Sequence, residues 1–262
     1  MKQKGNNGAD NDFISPLWNY SLSYISGVQE SEENQCPGYK LIVGLGQNFE
    51  CKIDGQVLTG LRGLLINRDV SHAIASGVPV LIYIIEPDCL WGWQAGALLE
   101  ENNFLDLNGV LDDDQLSNVL PPGYATMANT ELLTYVHALL DAVFYVDHFP
   151  KGPDDEHIEK ISEILDTSLN MQLTAAAITS QLGLSAERFE HFFIQRFSIP
   201  FTRYVLWGCI RGVLSTSVQR NDVPEETIKQ FGFRDSSHFS YCFEEVSGAD
   251  PFELVRECRV VI

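Results

Sequence analysis

The chain has 262 residues, 45% of them hydrophobic and 20% charged, a globular balance that excludes wholesale disorder and collagen-like structure. With 36 Asp and Glu against 17 Lys and Arg, the formal charge is -19, which excludes a uniform basic coat for nucleic acid. Any polyanion would have to meet a local patch of the opposite sign.

The amino-terminal stretch MKQKGNNGADND has no apolar segment behind its two lysines, so no secretory signal is expected. The longest apolar run, Leu132 to Val146, is interrupted by His137 and Asp141 and falls short of the ~20 residues a bilayer span needs. Cys36, Cys51, Cys89, Cys209, Cys242 and Cys258 form no CxxC pair, which fits reduced thiols in a cytoplasm better than a disulfide framework or zinc site.

From Tyr39 to Ile85 short β-prone runs alternate with glycines. Phe49, Cys51 and Ile53 alternate with Glu50, Lys52 and Asp54, the period of a half-buried strand, and Asp54-Gly55 between two such runs predicts a hairpin. Short antiparallel strands this close together are expected to close as a sandwich or small barrel. Residues 95–120 read as short helices around Asp112-Asp113-Asp114, ended by Pro121-Pro122-Gly123. Thr130 is expected to cap a helix whose Leu132, Leu133, Val136, Leu139, Leu140 and Val143 form an apolar stripe, packed on its own barrel or forming a helix-to-helix dimer seam.

HFPKGPDDE at 148–156 combines two prolines, a glycine and an acidic run, and marks an expected boundary between domains at 1–150 and 154–262. Residues 154–262 carry 10 basic and 17 acidic side chains, net -7, so this half is less acidic than the first but still not basic.

Beyond the boundary a pattern occurs twice. In LTAAAITSQLGLSAERFEHFF (173–193), Ile178 and Leu182 give an apolar face, Gly183 ends one helix and Ser185 caps the next. In VPEETIKQFGFRDSSHFSYCF (223–243), Pro224 suits a first helical position, Gly232 answers Gly183, and Ser236 or Asp235 can cap. Phe189 and Phe193 match Phe239 and Phe243 in spacing, which marks them as core. Each repeat reads as a helix-turn-helix, whose second helix can enter the major groove. Between them Phe201 to Val218 reads as one connecting helix, about 27 Å long at 1.5 Å per residue.

ITSQLGLSAERFEHFF, FTRYVLWGCIRGVL and IKQFGFRDSSHFSYCFEEVSGADPFEL resemble the carboxyl-terminal DNA-binding domain of the AraC/XylS family of bacterial transcription regulators, over about residues 160–256. GLLINRDVSHAI followed by VLIYIIEPDC looks like the cupin-type effector-binding domain that many members carry in front. The resemblance implies an α+β chain: an N-terminal cupin-like β-barrel with flanking helices, then an all-α domain with two helix-turn-helix units joined by a long helix. It also implies double-stranded DNA as partner, a small-molecule effector, and a homodimer formed through the N-terminal domain.

Transferred onto this chain, the base-facing positions are Glu187, Glu190 and His191 in the first unit and Ser237, His238 and Tyr241 in the second, with Ser236 beside them. Arg188, Arg196, Arg203, Arg211, Arg220 and Arg234 are the phosphate partners on offer. The chain departs from the family pattern at Thr179 and Ile228, where small alanines are usual, and at Cys209, His191 and Tyr241, where arginines are usual. Ile194 and Glu244-Glu245 stand where lysines are common, so modest, steeply salt-dependent binding is expected, and loss of DNA binding in favour of protein contacts is the alternative.

An effector pocket inside the barrel would be lined by Tyr39, Phe49, Ile66, His72, Tyr83 and Trp91; a barrel of this size can equally be filled by its own side chains. His72 alone of the six histidines falls in the strand-rich segment, so no metal site or cofactor is expected there. No catalytic constellation appears either, and the chain reads as a cytoplasmic non-enzyme.

Overall fold

The computed structural model describes residues 21–27, 33–75, 77–87, 89–109, 119–144, 160–161, 163–165, 168–197, 199–218, 220 and 222–261. Strands β1 (Ser21–Ser26), β2 (Tyr39–Gly44), β5 (Gly63–Ile66), β7 (Val80–Ile85), β8 (Phe104–Asp106) and β9 (Cys258–Val261) form an antiparallel sheet in the order β8-β5-β2-β7-β1-β9. A smaller sheet has β3 (Phe49–Ile53), β4 (Gln56–Leu61) and β6 (His72–Ala75) in the order β4-β3-β6. The hairpin expected at Asp54-Gly55 joins β3 to β4, with Ile53 opposite Gln56 and positive φ at both turn residues.

β2 and β7 are buried along their whole length, so both faces of the large sheet are covered. Alternation tells the two faces apart. Lys40, Ile66 and Ile84 lie opposite one another in register, and Lys40 reaches His72 of the small sheet, so this face looks into the space between the sheets. Leu41, Leu65 and Tyr83 share the other face, where Tyr83 meets Trp91 of helix α1 (Leu90–Leu99).

Phe104–Asp106, expected within a helical region, is a strand: Leu64, Leu65 and Ile66 of β5 present an unpaired sheet edge, and Asp106, Leu105 and Phe104 pair with it. Helix α2 (Asn129–Val143) starts two residues earlier than expected, with Ala128 rather than Thr130 as its cap. Thr130 lies in its first turn, and the Glu131 carboxylate accepts the N–H of the capping residue Ala128 at 3.2 Å. Leu132, Val136, Leu139, Leu140 and Val143 bury the expected stripe, with Leu133 half-buried beside it.

The boundary expected at 148–156 and the acidic triplet at 112–114 lie outside the described residues. Beyond them stand α3 (Ala175–Leu182), α4 (Ala186–Phe197), α5 (Phe201–Val218), α6 (Glu225–Gln230), α7 (Ser236–Ser247) and α8 (Pro251–Glu257). Phe189 and Phe193 close on Phe201 at ring-centroid distances of 5.2 and 5.3 Å, while Phe239 packs against Phe233 at 5.1 Å. These aromatics are fully or almost fully buried, as their helical spacing implies.

The last strand returns to the large sheet. β9 pairs with β1, Ser26 opposite Cys258 and Ser23 opposite Val261, and extends the N-terminal sheet by one edge strand. Arg259 donates to the carbonyls of Tyr124 and Met127 just before α2, and Asn129 donates to Val260 O at 3.0 Å.

Candidate nucleic-acid interface

Both repeats fold as helix-turn-helix units, and the caps explain why. Thr174 accepts the Ala177 N–H at 3.3 Å to start α3, Gly183 ends it at φ 67°, and Ser185 Oγ accepts the Arg188 N–H at 3.3 Å to start α4. In the second unit α6 follows Pro224, which sits one position before the helix rather than in its first turn. Gly232 turns the chain at φ 87°, and Asp235 Oδ1 accepts the His238 N–H at 2.8 Å. Of the two caps open in the sequence, Asp235 takes the role and Ser236 becomes the first residue of α7. Thr179 and Ile228, at the positions where small residues are usual, are both buried. Thr179 donates its hydroxyl to Ala176 O at 3.1 Å, which satisfies the polar group within the helix.

The transferred contact positions separate by exposure. On α4, Glu187, Arg188 and His191 are exposed, whereas Glu190 is half-buried and its Oε2 is shielded without a hydrogen bond among the described residues. The side chain of Arg196 lies outside the described residues. On α7, Ser237 and Tyr241 are exposed while Ser236 and His238 are half-buried.

His238 is locally fixed. Its Nδ1 accepts the Arg234 N–H at 3.2 Å, and its ring stands edge-on to Phe233 at 5.7 Å. The neutral ring therefore carries its proton on Nε2, which is the donor left for a partner. Tyr241, 60% exposed, donates its hydroxyl to Glu245 at 2.7 Å. Beside it a groove of about 420 Å³ is lined by Ser236, Ser237, Ser240, Tyr241, Glu244, Asp250 and Phe252.

The cations sort just as sharply. Arg188, Arg220 and Arg234 are exposed. Lys229 is held by Glu225 at 2.6 Å and Arg256 by Glu257 at 3.1 Å. Arg203, expected on phosphate, instead donates to Glu86 at 2.7 Å, a carboxylate only 2% exposed at the end of β7. Arg211 is only partly exposed: burial lowers its guanidinium to about 10, with the Tyr83 and Tyr204 phenols acting on it electrostatically in the opposite direction. Long-range partners, which spacing does not encode, hold both side chains in this arrangement.

The six residues expected to line one effector pocket are not brought together. Phe49, Ile66 and His72 lie between the two sheets, whereas Tyr39, Tyr83 and Trp91 lie on the opposite face of the large sheet, toward α1. Tyr39, Phe49, Ile66, His72 and Tyr83 are all buried within the hydrophobic core.

Between the sheets, His72 Nδ1 donates to Val70 O at 2.9 Å, so Nε2 is the acceptor for Lys40 Nζ at 2.8 Å. Asn34 accepts a second bond from Lys40 at 3.2 Å. Burial, reinforced by Lys40, pushes the His72 imidazole down to about 4, and burial likewise lowers the Lys40 amine. No group of three or more His, Cys, Asp or Glu among the described residues is arranged to hold a metal. No described helix is long and apolar enough to cross a membrane.

β1, β9 and the Glu86 contact were missed in the sequence. SLSYIS at 21–26 carries the period-two signal, and the β-branched run RVVI at 259–262 was a second usable sign. Nothing in the sequence pairs Glu86 with residues more than a hundred positions away.

No protein-family model matches the chain, and no curated protein sequence matches it. Among solved structures it is similar to an apo form of a single-residue variant of ToxT from Vibrio cholerae, with 13% identity and a TM-score of 0.50 over 91% of this chain and 98% of that one. It is also similar to the C-terminal domain of the response regulator YesN from Fusobacterium nucleatum, with 25% identity and a TM-score of 0.33 over 39% of this chain and 99% of that one. The AraC-like transcriptional activator CuxR gives 15% identity and a TM-score of 0.30 over 71% of this chain and 70% of that one.

Proposed function

We propose that this chain, an AraC/XylS-type regulator by fold, is a site-specific DNA-binding transcription regulator and not an enzyme. Residues 1–150 serve as the regulatory and homodimerising domain and 154–262 as the DNA-binding domain, in a cytoplasmic protein. The observation that carries the reading is the tandem of capped helix-turn-helix units, α3–α4 and α6–α7, joined by the 18-residue helix α5. Two such units on a stiff connector can address successive major-groove faces, which recur every ~34 Å.

Glu187, His191, Ser237 and His238 are the base-reading candidates, with Arg188 and Arg234 on phosphate. A small-molecule effector would act on the N-terminal domain by favouring one arrangement of the two halves. Selection from a random duplex pool with the full chain tests the reading. Enrichment of a motif with two half-sites is expected, and a pool left unenriched at low salt would overturn it.

A second reading has its own observation. The exposed face of α7 offers Glu244, Glu245 and the acidic end of its groove, Asp250, with the exposed Arg234 just before the helix. A chain that regulates through protein contacts would present such a face, and nuclease-resistant co-purification of one partner would favour it over DNA.

A further inference from the structure

Residues 154–262 hold only ten basic side chains, and the first domain occupies three of them. Arg203 donates to the Glu86 carboxylate at 2.7 Å, and Trp207, one helical turn on, donates its indole N–H to the same oxygen at 2.5 Å. Arg211, a further turn along the same face of α5, is drawn out of solvent by burial and lies within electrostatic reach of Tyr83 of β7. Arg259, on β9, is spent on the carbonyls of Tyr124 and Met127. Two of these contacts secure the connector between the two helix-turn-helix units, and the third secures the strand that follows them.

An arginine neutralised by a buried carboxylate or bound to main-chain carbonyls releases no counterion from DNA. On a half whose net charge is -7, three withheld cations are three of its ten positive charges. We propose that the N-terminal domain is an electrostatic mask: docked through Glu86 and β9 it competes with the DNA backbone for Arg203, Arg211 and Arg259, and undocking releases them for phosphate. The mask rests on the DNA-binding reading for its purpose, though not for its existence. It regulates the same surface by subtracting charge.

Two full-length variants test it. E86Q keeps an acceptor for the Trp207 indole but removes the charge that holds Arg203. In S26C, the new thiol stands opposite Cys258, whose thiol already hydrogen-bonds the Ser26 side chain, so oxidation would staple β9 to β1 and reduction would free it. Two probes are read with each: a labelled 30-base-pair duplex across a salt series, and a heparin column.

E86Q is expected to bind the duplex on the order of fivefold to tenfold more tightly than wild type at 0.1 M salt, with a log–log salt slope steeper by about 0.9 for each phosphate gained. It should also leave heparin at higher salt. Oxidised S26C should bind both probes more weakly than its reduced form. If no variant binds the duplex yet the heparin shifts appear, the DNA-binding reading fails and the mask stands. If E86Q and wild type agree on both probes, and oxidation of S26C changes neither, the mask is wrong.

Discussion

Trp207, in the middle of the helix joining the two helix-turn-helix units, donates its indole N–H to the buried Glu86 carboxylate at the end of β7. The contact ties the helix-turn-helix half to the sheet through a carboxylate that solvent hardly reaches. Trp207→Phe keeps most of the packing but leaves Glu86 with one donor fewer. The expected cost is about 1–3 kcal/mol, read from the urea midpoint at unchanged slope. A midpoint equal to wild type would show that the indole N–H adds nothing.

Gly183 and Gly248 both end helices with positive φ, 67° and 68°, yet their surroundings differ. A Cβ on Gly183 would meet open space, whereas one on Gly248 would lie 2.2 Å from Gln35 O and 3.0 Å from Cys36 Cα. Gly183→Ala should therefore cost only the left-handed backbone penalty, roughly 1–2 kcal/mol. Gly248→Ala should cost about 1–3 kcal/mol more, because backbone of the N-terminal domain must move. Equal losses in denaturant would place residues 35–36 away from the end of α7.

His72 gives a pH signature whose sign is fixed. Its folded-state pKa of about 4 lies below the ordinary value of 6.5, so the unfolded chain binds more protons between these limits. Its contribution is fully present above pH ~6.5 and is lost as pH falls toward 4, on the order of 3 kcal/mol in all. His72→Gln, which keeps an acceptor for Lys40, should flatten stability over that window. An unchanged acid limb would mean that other groups govern it.

Arg188 and Arg234 are the exposed cations beside the two recognition helices. Alanine at either should weaken duplex binding almost equally for all sequences and reduce the salt slope by about 0.9. His238→Ala should instead relax the preference at one base pair, worth about 1–3 kcal/mol, with the slope unchanged. A uniform loss for His238→Ala would reassign it to the backbone.

Features set by neighbours within a few residues were legible in the sequence: the Asp54-Gly55 hairpin, the Gly183 turn with its Ser185 cap, the 201–218 helix and the buried phenylalanine pairs. Features set by distant pairing were not. Arg203 and Arg211 read as phosphate partners because the groups that engage them, Glu86 and Tyr83, lie more than a hundred residues upstream. The six pocket candidates read as one group because a strand's face depends on its register, and register places Tyr39 and Tyr83 on the opposite side of the sheet from Ile66. Thr130 lost its capping role to Ala128 by two residues, the scale on which a helix start is decided by whether the Glu131 carboxylate can reach back.

Footprinting of the full chain on a duplex carrying its selected motif tests the tandem-unit reading most directly. Two protected patches about one helical turn, 10–10.5 base pairs, apart are expected, one for α4 and one for α7. The α7 patch should vanish in Ser237→Glu, which brings a carboxylate to the exposed start of α7, against the polyanion. A single patch that Ser237→Glu leaves intact would contradict it.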